Sequence, residues 1–229
     1  MWNRRFIFLW AGQTLANLGD IFYIVAFISA IYAATGSVMY TALIPVVIVS
    51  SQSLSSLVAP LVFYRLSLQG MLILSQGLKT LLLMIAALVV PVVAGEGERL
   101  LVLLFGLGAM IAFMDGWANP ARNALVPQLV EQQELMRANG LLATSDQTVY
   151  FVGWAAGGML VAWVGSDAVL WGTVGAYVMA TAAMLGIHSK KEQPSNLDEG
   201  EKGWLTGWRV IREVPRLRLL VGMDVLIGI

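Results

Sequence analysis

Cysteine is absent from the 229-residue chain and histidine occurs once, at position 188. Most metal-centred and hydrolytic chemistry therefore lacks ligands or a base. No phosphate-binding glycine loop, metal-ligand cluster or nucleophile–base pair takes their place. Neither metal nor cofactor is expected, and the chain does not read as an enzyme. A membrane-embedded catalyst would need reactive groups clustered at one depth, and only Lys79, Asp115 and Asp146 come near that. Redox compartment is unreadable without thiols. Charge is scarce too: 12% of residues, 14 basic against 14 acidic, where a soluble domain carries about 25%. A surface so poor in charge would be poorly soluble in water. A lipid bilayer removes that objection.

Apolar residues make up 58% of the chain, and the mean hydropathy is +0.76. They fall in six long runs: helix 1 over Phe6–Ala33, helix 2 over Met39–Phe63, helix 3 over Met71–Val93, helix 4 over Leu100–Ala121, helix 5 over Asn139–Val164 and helix 6 over Ala168–Ile187. Each can cross a hydrocarbon core of ~30 Å, which needs about 20 helical residues. Transmembrane strands would be half as long and would alternate, which these runs do not. Turn-like gaps separate them, such as Thr35-Gly36-Ser37, Gly95-Glu96-Gly97-Glu98 and Gly165-Ser166-Asp167. Arg4 and Arg5 precede the first run, but no small-residue cleavage site follows, so it reads as a retained helix.

Charge placement gives an orientation. With the N-terminus cytoplasmic, the inner segments hold Arg4, Arg5, Arg65, Arg122, Arg137, Lys190, Lys191, Lys202, Arg209, Arg212, Arg216 and Arg218, and the outer ones only Arg99. That bias fits a multi-pass protein of a bacterial plasma membrane. With its basic residues at the membrane face, the chain gives no support to nucleic-acid binding.

Residues 1–189 thus read as a six-helix domain and 190–218 as a cytoplasmic linker. Within the linker, Trp204, Trp208 and Ile211 suit a short helix at headgroup level, ended or interrupted by Pro215; a disordered basic linker is the alternative. Residues 219–229 span only about 16 Å as a helix, too little to cross. They are expected to be the truncated start of a seventh helix, with a matching second half missing.

Polar residues inside the apolar runs are the informative ones, since each ionisable group there costs several kcal/mol unless partnered or wetted. Gln13, Asn17 and Asp20 share one face of helix 1 at i, i+4 and i+7, and Asp115, Asn119 and Arg122 repeat the spacing on helix 4. Gln13 and Asn17 serve either as interhelical glue or as cavity lining. Asp20 faces a cavity, acting on a proton or cationic substrate, or is a paired structural carboxylate. Pro120 is expected to interrupt helix 4 near its cytoplasmic end, and Arg122 to reach headgroups or a neighbouring helix end. Asp115 and Asp146 are expected about 13 Å deep. Lys79, at nearly that depth, would pair with one of them, in a fixed or an opening ion pair. Ser50, Ser51, Gln52, Ser53, Ser55 and Ser56 of helix 2 read equally as helix glue or a polar wall. On helix 5, Asp146, Tyr150, Gly153 and Gly157 share a face, and Gly153-Trp154-Ala155-Ala156-Gly157 permits tight backbone contact.

Two stretches carry a resemblance. Gly12-Gln13-Thr14-Leu15-Ala16-Asn17-Leu18-Gly19-Asp20, and Asn119-Pro120-Ala121-Arg122-Asn123-Ala124-Leu125-Val126-Pro127 followed by Arg137-Ala138-Asn139-Gly140-Leu141, resemble the N-terminal half of the major facilitator superfamily, in its macrolide-efflux and enterobactin-exporter branch. Two departures stand out. Tyr64 replaces the acidic residue of the family's loop between helices 2 and 3, leaving Arg65 of that motif. The proline of the helix 5 Gly-Pro-x-x-Gly-Gly pattern is missing from Gly153-Trp154-Ala155-Ala156-Gly157-Gly158. The resemblance implies an all-α, polytopic bundle that is half of an alternating-access exporter, with helices 1, 2, 4 and 5 facing the cavity. Proton-coupled antiport of drugs or other amphipathic molecules is the expectation, with Gln13, Asn17, Asp20, Asp115, Asn119, Asp146 and Tyr150 on the substrate or proton pathway. Arg65, Lys79, Arg122, Gly153, Gly157 and Gly158 would gate or hold the structure. The partners implied are lipid, the missing half, substrate and protons. Such a half should not transport alone. Two copies of it could associate as a homodimer through the exposed inner faces. The competing reading is a complete six-helix binding or assembly module that pairs with itself or with another membrane subunit.

Overall fold

The computed structural model describes residues 3–63 and 66–187. Among them the elements are α1 (Arg4–Thr35), α2 (Val38–Phe63), α3 (Leu68–Val93), α4 (Gly97–Leu129), a single 3-10 turn (Gln132–Glu134) and α5 (Leu135–Leu185). The described chain is an all-α bundle, and all five helices are long and apolar enough to cross a membrane. Their outward faces remain apolar: Val49, Leu88, Val92, Val102 and Trp163 are all largely exposed. In a bilayer these surfaces meet acyl chains rather than water.

Local chemistry explains the helix ends. The Asn3 side chain accepts from the Arg5 N–H, and the Ser67 side chain accepts from the Gly70 N–H, so both helices start on an N-cap. Gly36 ends α1 at φ 65°, donating its N–H to the Tyr32 carbonyl in a left-handed cap.

The fifth helix is folded back on itself. Its 51 residues would extend about 76 Å if straight, more than twice the hydrocarbon thickness. Gly165, at φ 85° and ψ 160°, breaks it into arms of residues 135–164 and 166–185. Both arms pack on α1. Gly153 meets Ile21 and Gly157 meets Val25, so the first arm runs in step with α1; Tyr177 meets Gly19 and Ala180 meets Gly12, so the second runs back down it. The expected three-residue gap at Gly165-Ser166-Asp167 is therefore a reversal at one glycine, in a backbone region only glycine enters cheaply.

Helix 4 is longer than the sequence suggested. The expected end at Ala121, just past Pro120, is corrected: α4 continues through Pro120 and Pro127 to Leu129. Each proline removes a ladder hydrogen bond at a cost of about 3 kcal/mol. Against that, Leu125, Val126 and Leu129 are buried with Phe6, Leu9, Leu72, Leu142 and Ile187, at about 1.5–3 kcal/mol per side chain relative to water. Burial wins. Asp115 consequently lies 14 residues before the end of α4, about 21 Å in rather than 13 Å.

The interior has two apolar clusters. One, around Phe6, Leu9, Leu125 and Ile187, closes the end that holds the N-terminus. The other, around Phe27, Ile31, Val90, Leu104 and Leu170, closes the opposite end. α2 packs mainly on α4, and α3 packs on α4 and α5. The expected linker over 190–218, its Trp204 segment, the run over 219–229, and Tyr64, Arg65 and His188 lie outside the described residues.

Candidate functional site

Between the two apolar clusters lies a belt of charge. Lys79 of α3 is 2% exposed, and its Nζ stands 2.6 Å from an oxygen of Asp115 on α4 and 2.6 Å from an oxygen of Asp20 on α1. Of its two expected partners it takes Asp115, while Asp20 stands in place of Asp146. The Tyr177 hydroxyl, on the second arm of α5, donates to the same Asp20 oxygen. The Lys79 ammonium also lies 5.0 Å from the Tyr177 ring centroid, within cation–π range. Gln52 of α2 adds a polar contact to Asp115. One ammonium thus ties together side chains from three helices, with Tyr177 supplied by a fourth segment.

A second network lies nearer the N-terminal end. Gln13 donates to Asn17 at 2.8 Å, Asn17 donates to Asp146 at 2.7 Å, and Arg122 donates to the other Asp146 oxygen at 3.0 Å. Trp10 donates to Ser145 at 2.8 Å alongside it. Arg122 turns inward to this carboxylate instead of reaching for headgroups or a helix end. Its side chain is 14% exposed.

The helix 1 stripe therefore splits. Asn17 and Asp20 differ by about 60° around the axis, enough for Asn17 to face α5 while Asp20 faces α3. Asn119 is exposed and joins neither network, and Tyr150 is 54% exposed, in edge contact with Phe151 and Trp154. The glycines divide as well. A Cβ on Gly153 would come within 2.9 Å of Ile21, and one on Gly157 within 3.2 Å of Val25, whereas one on Gly158 would meet nothing within 4 Å. Gly158 thus has open space beside it within this bundle. It lines an apolar cleft of about 400 Å³ with Val25, Ile28, Tyr32 and Val161.

Three features escaped sequence reasoning. Tyr177 was readable only as one of the few polar groups in the last apolar run. Gly116 packs so tightly that a Cβ there would lie 2.5 Å from the Gln52 carbonyl and from Ser55. Ser75 of α3, which donates to the Met114 carbonyl at 2.9 Å, is the third; Ser55, among the α2 serines expected as helix glue or a polar wall, donates to the Phe113 carbonyl. Ser53 and Ser56 bond back within α2. Among the described residues no group of acidic, histidine or cysteine side chains is placed to hold a metal ion.

Buried acid–base clusters inside an apolar bundle mark ion or substrate paths in membrane proteins, and the sequence places this bundle among such proteins. The sequence model of the Major Facilitator Superfamily matches residues 9–229. The chain belongs to the major facilitator superfamily. This is a family of transporters, not of enzymes. Two relatives from Bacillus subtilis (strain 168) support the placement. The uncharacterized MFS-type transporter YfmI is 27% identical over 223 residues, covering 93% of this chain and 53% of the relative. The uncharacterized MFS-type transporter YjbB is 24% identical over 225 residues, covering 98% and 54% respectively. The chain thus spans about half the length of these curated relatives. No solved structure gives a significant match.

Proposed function

We propose that this superfamily bundle is one wall of a proton-coupled, alternating-access exporter of amphipathic small molecules. The observation that carries the reading is the pair of buried networks that join α1, α3, α4 and α5 across the bundle interior. Charges held at that depth cost several kcal/mol each and are kept where a polar path uses them. Lys79–Asp20–Asp115 and Arg122–Asp146 can exchange partners as a second bundle rocks against this one, which couples protonation to access. The Tyr150–Trp154 ring pair, 6.3 Å between centroids, offers an aromatic surface one turn beyond Asp146 for an amphipathic substrate.

The same reading places six crossings in residues 1–189, with α5 contributing two, and the N-terminus in the cytoplasm. Among the described residues, Arg4, Arg5 and Arg137 lie toward the N-terminal end together with Glu131 and Glu134, and Arg99 lies toward the other with Glu96, Glu98 and Asp167; three basic residues against one support the orientation. The second wall would come from the further length that the relatives possess.

The test is uptake into inverted vesicles carrying the full-length protein, with cationic dyes, a macrolide and a siderophore as substrates. Uptake driven by an inside-acid gradient and uncoupled in Asp20→Asn or Asp115→Asn is expected. Unchanged coupling in the Asn variants of Asp20, Asp115 and Asp146 alike removes proton antiport, and no uptake of any probe removes the exporter reading.

A further inference from the structure

The charges in the bundle interior do not cancel. Among the described residues they are Asp20, Lys79, Asp115, Arg122 and Asp146, three carboxylates against two cations. Asp146 is fully matched: Arg122 donates to one oxygen and Asn17 to the other. The surplus negative charge therefore belongs to the Lys79 cluster. There, two carboxylates each place an oxygen 2.6 Å from one nitrogen, which forces them together around a single cation. Two like charges sharing a desolvated site resist ionising together, and the hydrocarbon around the bundle supplies no counterion.

We infer that Asp20 and Asp115 share one exchangeable proton across Lys79. The polar and titratable groups facing this site are Asp20 and Tyr23 from α1, Gln52 from α2, Lys79 from α3, Asp115 from α4 and Tyr177 from α5. Lys79 spends two of its three N–H groups on the carboxylates and turns toward the Tyr177 ring. Its nitrogen occupies the point between the oxygens that a metal ion would need, whereas a proton needs no room of its own. Asp20, 23% exposed against 13% for Asp115, is the member through which the proton leaves. Transfer breaks the carboxyl O–H bond, hands the proton to water, and leaves both carboxylates ionised around the unchanged ammonium. The use of this proton rests on the exporter reading above; its presence does not.

The experiment is infrared difference spectroscopy of the full chain in nanodiscs of ether lipids, which lack interfering ester carbonyls, titrated with pH and exchanged into D₂O. The wild type is expected to show a protonated-carboxyl band that vanishes on alkalinisation. That band should be lost in Asp20→Asn and in Asp115→Asn, persist in Asp146→Asn, and grow about twofold in Lys79→Met, where a second proton replaces the missing cation. Absence of the band in the wild type at every pH overturns the inference, and so does its loss in Asp146→Asn. Its removal by sodium at fixed pH would show a metal-cation site instead, with the same consequence. Wild-type protein alone decides the first point, so a variant that fails to fold does not block the test. Proton-driven uptake without the band refutes this inference but not the exporter; a band without uptake does the reverse.

Discussion

Lys79 and Asp20 are joined by one ion pair, yet deleting either should have very different consequences. At 2.6 Å and an effective dielectric near 20, each Lys79–carboxylate contact has a gross attraction of about 6 kcal/mol, most of it offset by desolvation of both partners. Lys79→Met keeps the length of the stem but leaves two carboxylates in the bundle with no cation. Removing one partner of a buried pair costs about 3–5 kcal/mol, and here two partners are orphaned. Asp20→Asn removes one bridge but leaves Lys79 matched one to one with Asp115, and the Asn carbonyl still accepts from Tyr177. Its expected cost is below about 1 kcal/mol, the scale of an ordinary net hydrogen bond. Lys79→Met in an Asp20→Asn/Asp115→Asn background should be close to neutral, because replacing a whole buried ionic group by neutral ones of similar volume often is. Denaturant unfolding in detergent, followed by tryptophan fluorescence, measures the wild type, both single variants, the double-Asn background and the triple variant. If Lys79→Met costs the same with and without the two carboxylates, its ammonium does not act through them. If Asp20→Asn costs as much as Lys79→Met, the charge balance does not govern the stability of this site.

Three further outcomes follow from the packing. Gly116→Ala should destabilise by about 1–3 kcal/mol through overpacking at the crossing of α2 and α4, where the new Cβ meets backbone at 2.5 Å; Gly158→Ala, with open space, should stabilise by about 0.5–1 kcal/mol through helix propensity, both read from thermal unfolding. Gly165→Ala should cost about 1–3 kcal/mol despite having nothing within 4 Å, and a cost near zero would mean that the reversal in α5 does not need the φ of 85°. Arg122→Gln should destabilise by about 3–5 kcal/mol by leaving Asp146 unpaired, with at least half recovered on adding Asp146→Asn; additive losses in that pair would show that the 3.0 Å contact is not the source of the effect.

Much of the bundle was legible in the chain because bilayer thickness demands long apolar runs whatever their tertiary arrangement. Thr35-Gly36-Ser37 was readable as a turn, since glycine alone enters the left-handed cap cheaply, and Gly153 and Gly157 as a contact face, since a 3.6-residue period lines them up. Among the described residues, Asp20, Asp115 and Asp146 of the bundle interior were also legible, as acids inside apolar runs. Periodicity could not assign partners: Lys79 has one length of stem whether it meets Asp146 or Asp20, and only the relative rise and rotation of α1, α3 and α4 chose Asp20 and Asp115. The reach of α4 past Pro120 was likewise hidden, because a proline's local cost is written in the sequence while the burial of Leu125 and Leu129 that outweighs it depends on residues from distant helices, Phe6, Leu9, Leu72 and Ile187 among them. By itself the sequence determined that the protein lives in lipid as an all-α bundle and which of its residues resist that solvent. Tertiary structure decided which of those charges neutralise one another, since Coulomb interactions fall with distances that only packed helices define.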